Sequence, residues 1–131
     1  MNDPIKFEVI RNALVETTEE MSAALRRSAD STNIKTRCDY SCALFDLDIN
    51  VLAQCFAQAN HLGSMVRMVP LAIRDYGHEN LGPGDTIVMN DPYLGGVHLN
   101  DIFVISPIYF GGEIQGYVSC LLYTSPRPRD A

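Results

Sequence analysis

Twelve residues, Asn90-Asp91-Pro92-Tyr93-Leu94-Gly95-Gly96-Val97-His98-Leu99-Asn100-Asp101, concentrate side chains of the types able to bind a metal or move a proton. Asn90, Asp91, His98 and Asp101 surround a Gly-Gly pair that lets the backbone bend tightly. His98 and Asp101 stand three apart, a spacing that shares one face of a helical turn but splits across a strand. The glycines before them and the apolar run after them predict a bend or single helical turn over residues 98–101, which permits convergence without forcing it. An imidazole beside a carboxylate, with no thiol nearby, suits Mn²⁺, Fe²⁺ or Zn²⁺ better than Ca²⁺ or Mg²⁺. The same pair also fits a histidine bonded to a loop carbonyl and an aspartate capping a turn. Asn90-Asp91-Pro92 has two readings as well. Asp91 is either a catalytic or supporting group, or part of a strand-ending turn that folds Asn and Asp back on their own backbone.

Two other places carry candidate chemistry. Asp39, in Arg37-Cys38-Asp39-Tyr40-Ser41, leads into an apolar strand, so it either faces a site from the strand end or pairs with a cation such as Arg37. His61, in His61-Leu62-Gly63-Ser64-Met65, precedes an expected helix start, where a neutral imidazole is favoured and could donate to substrate or bind metal. A buried structural histidine is the alternative. His78 reads as solvated surface.

The elements that must position these residues follow from pattern. Asp3 caps a helix with Pro4 in its first turn, and Phe7, Ile10, Leu14, Met21 and Leu25 recur at helical spacing to about Ala29. Tyr40–Phe45 and Val51–Phe56 read as two strands joined through Asp46-Leu47-Asp48-Ile49-Asn50. That linker opens like a calcium loop, but Val51 and Ala57 stand where an EF-hand needs Gly and Glu, so a polar hairpin turn is the better reading. Ser64 is placed to cap a second helix from Met65 to Tyr76, stopped by Gly77 and kinked or split at Pro70. Strands follow at Thr86–Met89 and Ile102–Phe110, then a turn at Gly111-Gly112 and a last strand Glu113–Cys120. The fold class is α+β: helix, β-hairpin, helix, then mixed or antiparallel strands with a Gly-rich functional loop.

Composition narrows the function classes. The chain has 131 residues, 47% of them apolar and 20% charged, which is one globular domain or part of one. Its net charge of −6 and the absence of a Lys/Arg stripe argue against nucleic acid and anionic membrane as partners. No apolar run approaches the ~20 residues of a membrane span, and the polar start predicts no secretory leader. Cys38, Cys42, Cys55 and Cys120 lack paired-ligand spacing and read as reduced, mostly buried thiols of a cytoplasmic protein. No phosphate-binding loop, dinucleotide fingerprint or nucleophile elbow is present, so ATP and dinucleotides have no evident seat. Pro126, Pro128, Arg127 and Arg129 break the strand pattern, and Leu121–Ala131 resembles translated adapter read-through. Residues 121–131 are therefore expected to be a non-native, disordered tail on an incomplete domain spanning 1–120.

Several segments together resemble the hydantoinase B/5-oxoprolinase family, which includes the related subunit of acetone-type carboxylases. They are Glu20-Met21 through Arg27-Ser28-Ala29 with Ser31 and Asn33-Ile34-Lys35, Asp39–Asp46, His61-Leu62-Gly63-Ser64-Met65, Gly82-Pro83-Gly84-Asp85 and Asn90-Asp91-Pro92-Tyr93 with Gly95-Gly96-x-His98-Leu99-x-Asp101. The resemblance implies the B-type subunit or half of an ATP-dependent cyclic amide hydrolase. An ATP-binding partner of hydantoinase A type would phosphorylate a lactam or hydantoin, using the ATP that this chain does not bind, and this half would support ring opening. It further implies a divalent metal (Mn, Zn or Fe) held by Asp39, His98 and Asp101. His61 and Asp91 would then be supporting or proton-transfer groups, and Asn90 a positioning donor. The family pattern continues beyond this chain with a further His/Asp-bearing segment, so the fragment itself is expected to be inactive. A metal-bearing subunit of a ketone carboxylase and a non-catalytic assembly domain are the alternatives.

Overall fold

A computed structural model describes residues 3–55, 58–96 and 98–123. Helix α1 spans Pro4–Ser28. The Asp3 carboxylate accepts the Ile5 and Lys6 amides at 3.0 and 3.2 Å, and Arg26 and Arg27 in the last turn complement the helix dipole. Only the C-terminal half of its apolar stripe reaches the core. Met21 and Leu25 pack inward, whereas Ile5, Phe7 and Val9 stay exposed. A short helix α2 (Thr32–Lys35) occupies what reads in the sequence as a turn cluster.

Strands β1 (Tyr40–Phe45), β2 (Val51–Gln54), β3 (Ile87–Met89), β4 (Asp101–Phe110) and β5 (Glu113–Tyr123) form one sheet in the order β2-β1-β5-β4-β3, with antiparallel neighbours throughout. Every residue of β1 is buried, because this strand lies between β2 and β5 with apolar clusters on both faces. On one face Ala43, Phe45, Phe103 and Tyr117 meet Met65, Met68 and Val69 of helix α3 (Ala59–Tyr76). On the other, Tyr40, Cys42 and Cys55 meet Ile34, Met21 and Leu25. Each large apolar side chain so buried contributes about 1.5–3 kcal/mol.

The structure departs from the pattern reading most clearly in α3 and β5. Helix α3 begins at Ala59 behind Gln58, so Ser64 lies inside it and caps nothing. Pro70 does not split it. The carbonyl that loses its donor belongs to Val66, which is half exposed, so solvent can take that bond. Strand β5 continues past Cys120 through Leu121, Leu122 and Tyr123, with Leu121 fully buried, because the inward alternation of Tyr117, Ser119 and Leu121 persists to Tyr123. The strand expected to stop at Cys120 thus extends to Tyr123; residues 124–131, which make up most of the expected tail, lie outside the described ones, as does Phe56.

The turns follow local chemistry. Gly111 and Gly112 both take positive φ (63° and 86°), the backbone needed for a tight turn between two twisted antiparallel strands. In the β1–β2 turn the Asp46 carboxylate accepts the Asn50 amide at 2.7 Å and its side-chain Nδ2 at 3.1 Å. The backbone bond from Asn50 is the main cause that holds Asp46 below the usual carboxylate range. That carboxylate serves a turn. Among the described residues no helix is long and apolar enough to cross a membrane.

Candidate functional site

The candidate site lies at one end of the sheet, where β1 and β4 begin and β5 ends. Tyr40 is in register with Leu122, and Asp101 with Tyr123. Asp39 sits just ahead of β1, after Cys38 turns the chain at a φ of 54°. Its amide donates to Asn33 O at 3.0 Å and its carbonyl accepts the Tyr123 amide at 3.2 Å. The first turn of α3 brings His61 to the same end.

The Gly-rich loop is fastened to α3. Ser64 Oγ donates to the Gly95 carbonyl at 2.5 Å. Gly95 takes a φ of 133°, and a Cβ there would lie 3.1 Å from Arg67 Cδ and 3.2 Å from Met68 Sδ, so a side chain has neither the backbone angle nor the room. After Gly96 the chain closes the expected turn. Asp101 Oδ2 accepts the His98 amide at 2.9 Å, its Oδ1 lies 3.2 Å from His98 Nδ1, and the Asp101 amide donates to the His98 carbonyl at 3.3 Å. Asp101 is 2% exposed, whereas the His98 side chain remains 45% exposed and packs edge-on against Tyr123 at 4.8 Å between ring centroids.

A second His–Asp pair stands beside the first. His61 Nε2 lies 3.4 Å from Asp39 Oδ1, a looser contact than an ordinary hydrogen bond. The His61 and His98 rings are perpendicular, with centroids 6.4 Å apart. Burial pushes the His61 pKa below the ordinary imidazole value; Asp39 and then Asp101 pull the other way, and His98 pushes down again. His61 Nδ1 is buried without a hydrogen-bond partner.

Asp39, His61, His98 and Asp101 are therefore brought together, as two adjacent pairs. Among the described residues no three His, Cys, Asp or Glu side chains close around one ion position. Asp39 faces His61, and Asp101 is bonded to His98. Asn90 and Asp91 do not join them. Both are exposed, and the Asp91 carboxylate accepts the Tyr93 amide at 2.9 Å, capping a one-turn 3-10 helix at Pro92–Leu94. That is the turn reading of Asn90-Asp91-Pro92. Tyr123 and Ser64 are the site residues that pattern reading missed. Continued period-two burial along β5 was the available signal for Tyr123; none pointed to the Ser64–Gly95 bond.

Residues 3–125 match the family model described as hydantoinase B/oxoprolinase. The chain belongs to that family. It is 38% identical over 117 residues to 5-oxoprolinase 1 of Arabidopsis thaliana, covering 89% of this chain and 9% of that protein. It is 32% identical over 118 residues to caprolactamase subunit beta of Pseudomonas jessenii, covering 90% of this chain and 20% of that protein. The crystal structure of that organism's ATP-dependent caprolactamase superposes with a TM-score of 0.78 at 28% identity, over 93% of this chain and 21% of the other. A nucleotide-free acetone carboxylase structure shares the fold, with a TM-score of 0.84 at 22% identity over 93% of this chain and 16% of that one. The chain thus spans about a tenth to a fifth of the length of these relatives.

Proposed function

We propose that this chain is part of the B-type half of an ATP-dependent cyclic amide hydrolase of the 5-oxoprolinase kind. The single observation that carries the reading is the convergence of Asp39, His61, His98 and Asp101 at one end of the sheet, within a chain of this family. Resonance makes a lactam or hydantoin carbonyl a poor electrophile. Activation by a hydantoinase A-type, ATP-using partner would supply the missing reactivity.

His61, kept neutral by burial, serves as a supporting or proton-transfer group behind Asp39, whose partly exposed carboxylate lies 3.4 Å from its Nε2. His98 offers its half-exposed ring to substrate while Asp101 fixes that ring's orientation. Asp91 and Asn90 act through the loop, Asp91 by holding the turn that presents Tyr93, which is 92% exposed.

The imidazole and carboxylate donor types suit a divalent Mn, Zn or Fe ion, but their placement does not fit one: among the described residues no three of them close around a single ion position, with Asp39 turned to His61 and Asp101 bonded to His98. Asp39, His98 and Asp101 are the ligands that the family resemblance implies, and no chemical step is assigned to a metal.

The test uses the full-length protein with its ATP-using partner. ATP-dependent release of an open-chain amino acid from 5-oxoproline, a hydantoin or caprolactam supports the reading. Fixation of bicarbonate onto a ketone in its place would move the chain to the carboxylase branch. Retention of activity and metal content by His98→Ala and Asp101→Ala in an intact complex would leave only an assembly role.

A further inference from the structure

The sheet face under α1 carries three thiols side by side across neighbouring segments. Cys55, just past β2, donates its amide to the Cys42 carbonyl at 3.0 Å, and its sulfur accepts the Cys42 amide at 3.1 Å. Cys42 in β1 stands directly opposite Cys120 in β5, although 78 residues separate them in sequence. Their Sγ atoms are 3.2 Å apart. All three are free thiols; Cys42 is fully buried, and Cys120 is partly open to solvent.

We infer that Cys42 and Cys120 form a site of reversible oxidation, closing to an intramolecular disulfide across β1 and β5 when a hydroperoxide reaches Cys120. The Cys120 sulfur attacks one peroxide oxygen, the O–O bond breaks, and the leaving oxygen takes up the thiol's proton as water or an alcohol. Cys120 is then a sulfenic acid. The Cys42 sulfur next attacks the Cys120 sulfur; an S–S bond forms, the S–O bond breaks, and the hydroxyl departs as water with the Cys42 proton. Two thiols lose two electrons and two protons, and the peroxide is reduced.

The geometry demands little movement. A disulfide bond is ~2.05 Å long, so the sulfurs must approach by about 1 Å. Opposed residues of an antiparallel pair already have Cβ atoms ~4.5–5.5 Å apart, close to the spacing a disulfide requires. Cys55 is the less suitable partner, because its sulfur is engaged by the Cys42 amide and is itself buried. The inference is independent of the hydrolase reading. Its consequence for the site would be a clamp, since Asp39 lies three residues before Cys42 and Tyr123 three after Cys120.

The experiment treats the purified chain with hydrogen peroxide, blocks remaining thiols with N-ethylmaleimide in denaturant, and maps peptides by mass without reductant. The expected result is a fall from four free thiols to two, a Cys42–Cys120 linked peptide, a monomer on a non-reducing gel, and recovery of all four thiols with dithiothreitol. Cys38→Ser should behave as the parent, and Cys120→Ser should yield no linked peptide. Four intact thiols, a Cys42–Cys55 link, links between chains, or Cys120 over-oxidised without a link would each overturn the assignment.

Discussion

Replacing Asp101 by Asn and by Ala separates the two jobs assigned to its carboxylate. In the structure that group is buried and reaches both the amide and the ring of His98, at 2.9 and 3.2 Å. Alanine removes both contacts and leaves a void. A hydrogen bond to a charged acceptor is worth about 1.5–3 kcal/mol, and with the lost packing Asp101→Ala should lower folding free energy by roughly 2–4 kcal/mol. Asparagine keeps an oxygen for the His98 amide and offers an N–H to an unprotonated His98 Nδ1, so its cost should be only about 1 kcal/mol. Metal content of the full-length protein tests the implied ligand role separately: if Asp101 ligates, a neutral amide is a poor replacement and Asn should weaken binding by more than about tenfold, a loss that even the outer partners of metal ligands can produce. Urea unfolding followed by far-UV circular dichroism, with metal content of the dialysed variants in parallel, reads both quantities. The chain contains no tryptophan, so fluorescence is the weaker probe. Equal stability losses for Asn and Ala would refute the hydrogen-bond account of this turn. An Asn variant that keeps its metal would refute the ligand role.

Other consequences can be checked with less effort. Because burial depresses the His61 pKa, the unfolded chain takes up that proton first as pH falls; the contribution of His61 is full above ~6.5 and is lost as pH drops from there through the folded value. Melting midpoints on either side of that pH should differ less for His61→Gln than for the parent; an equal fall in both would remove His61 as the cause. Gly116→Ala would drive a Cβ into the Phe45 carbonyl of the neighbouring strand, a backbone atom that cannot step aside, and should cost about 2–3 kcal/mol or more in the same unfolding assay. A loss under about 0.5 kcal/mol would show that β1 and β5 are not packed this closely there. Ser64→Ala removes the bond to Gly95 and should cost about 1 kcal/mol while increasing amide exchange in the Pro92–Gly96 loop. Unchanged exchange would show the loop is held by other contacts.

Much of the scaffold was legible because its signals are local. Asp3 followed by Pro4 marks a helix start through bonds to residues two and three positions on. Gly111-Gly112 marks a hairpin by backbone angle alone. The turn joins His98 to Asp101 across only three positions, so its closure could be anticipated from spacing and the preceding glycines. Asp91 shows the limit of such reasoning. Its two readings were equally compatible with Asn-Asp-Pro, and only the Tyr93 amide at 2.9 Å assigns the carboxylate to the turn.

What the amino-acid order determined by itself was therefore the set of elements and the short-range contacts: caps, turns, the apolar faces and the His98–Asp101 pair. Tertiary structure alone decided that Asp39 meets His61, that Tyr123 packs on His98, that Ser64 holds Gly95 and that Cys42 faces Cys120. The physical reason is that alternation and helical period say which side of an element is buried but not which element lies beside it. Strand neighbours are selected by packing of the whole sheet, here placing β5 against β1 across most of the chain's length.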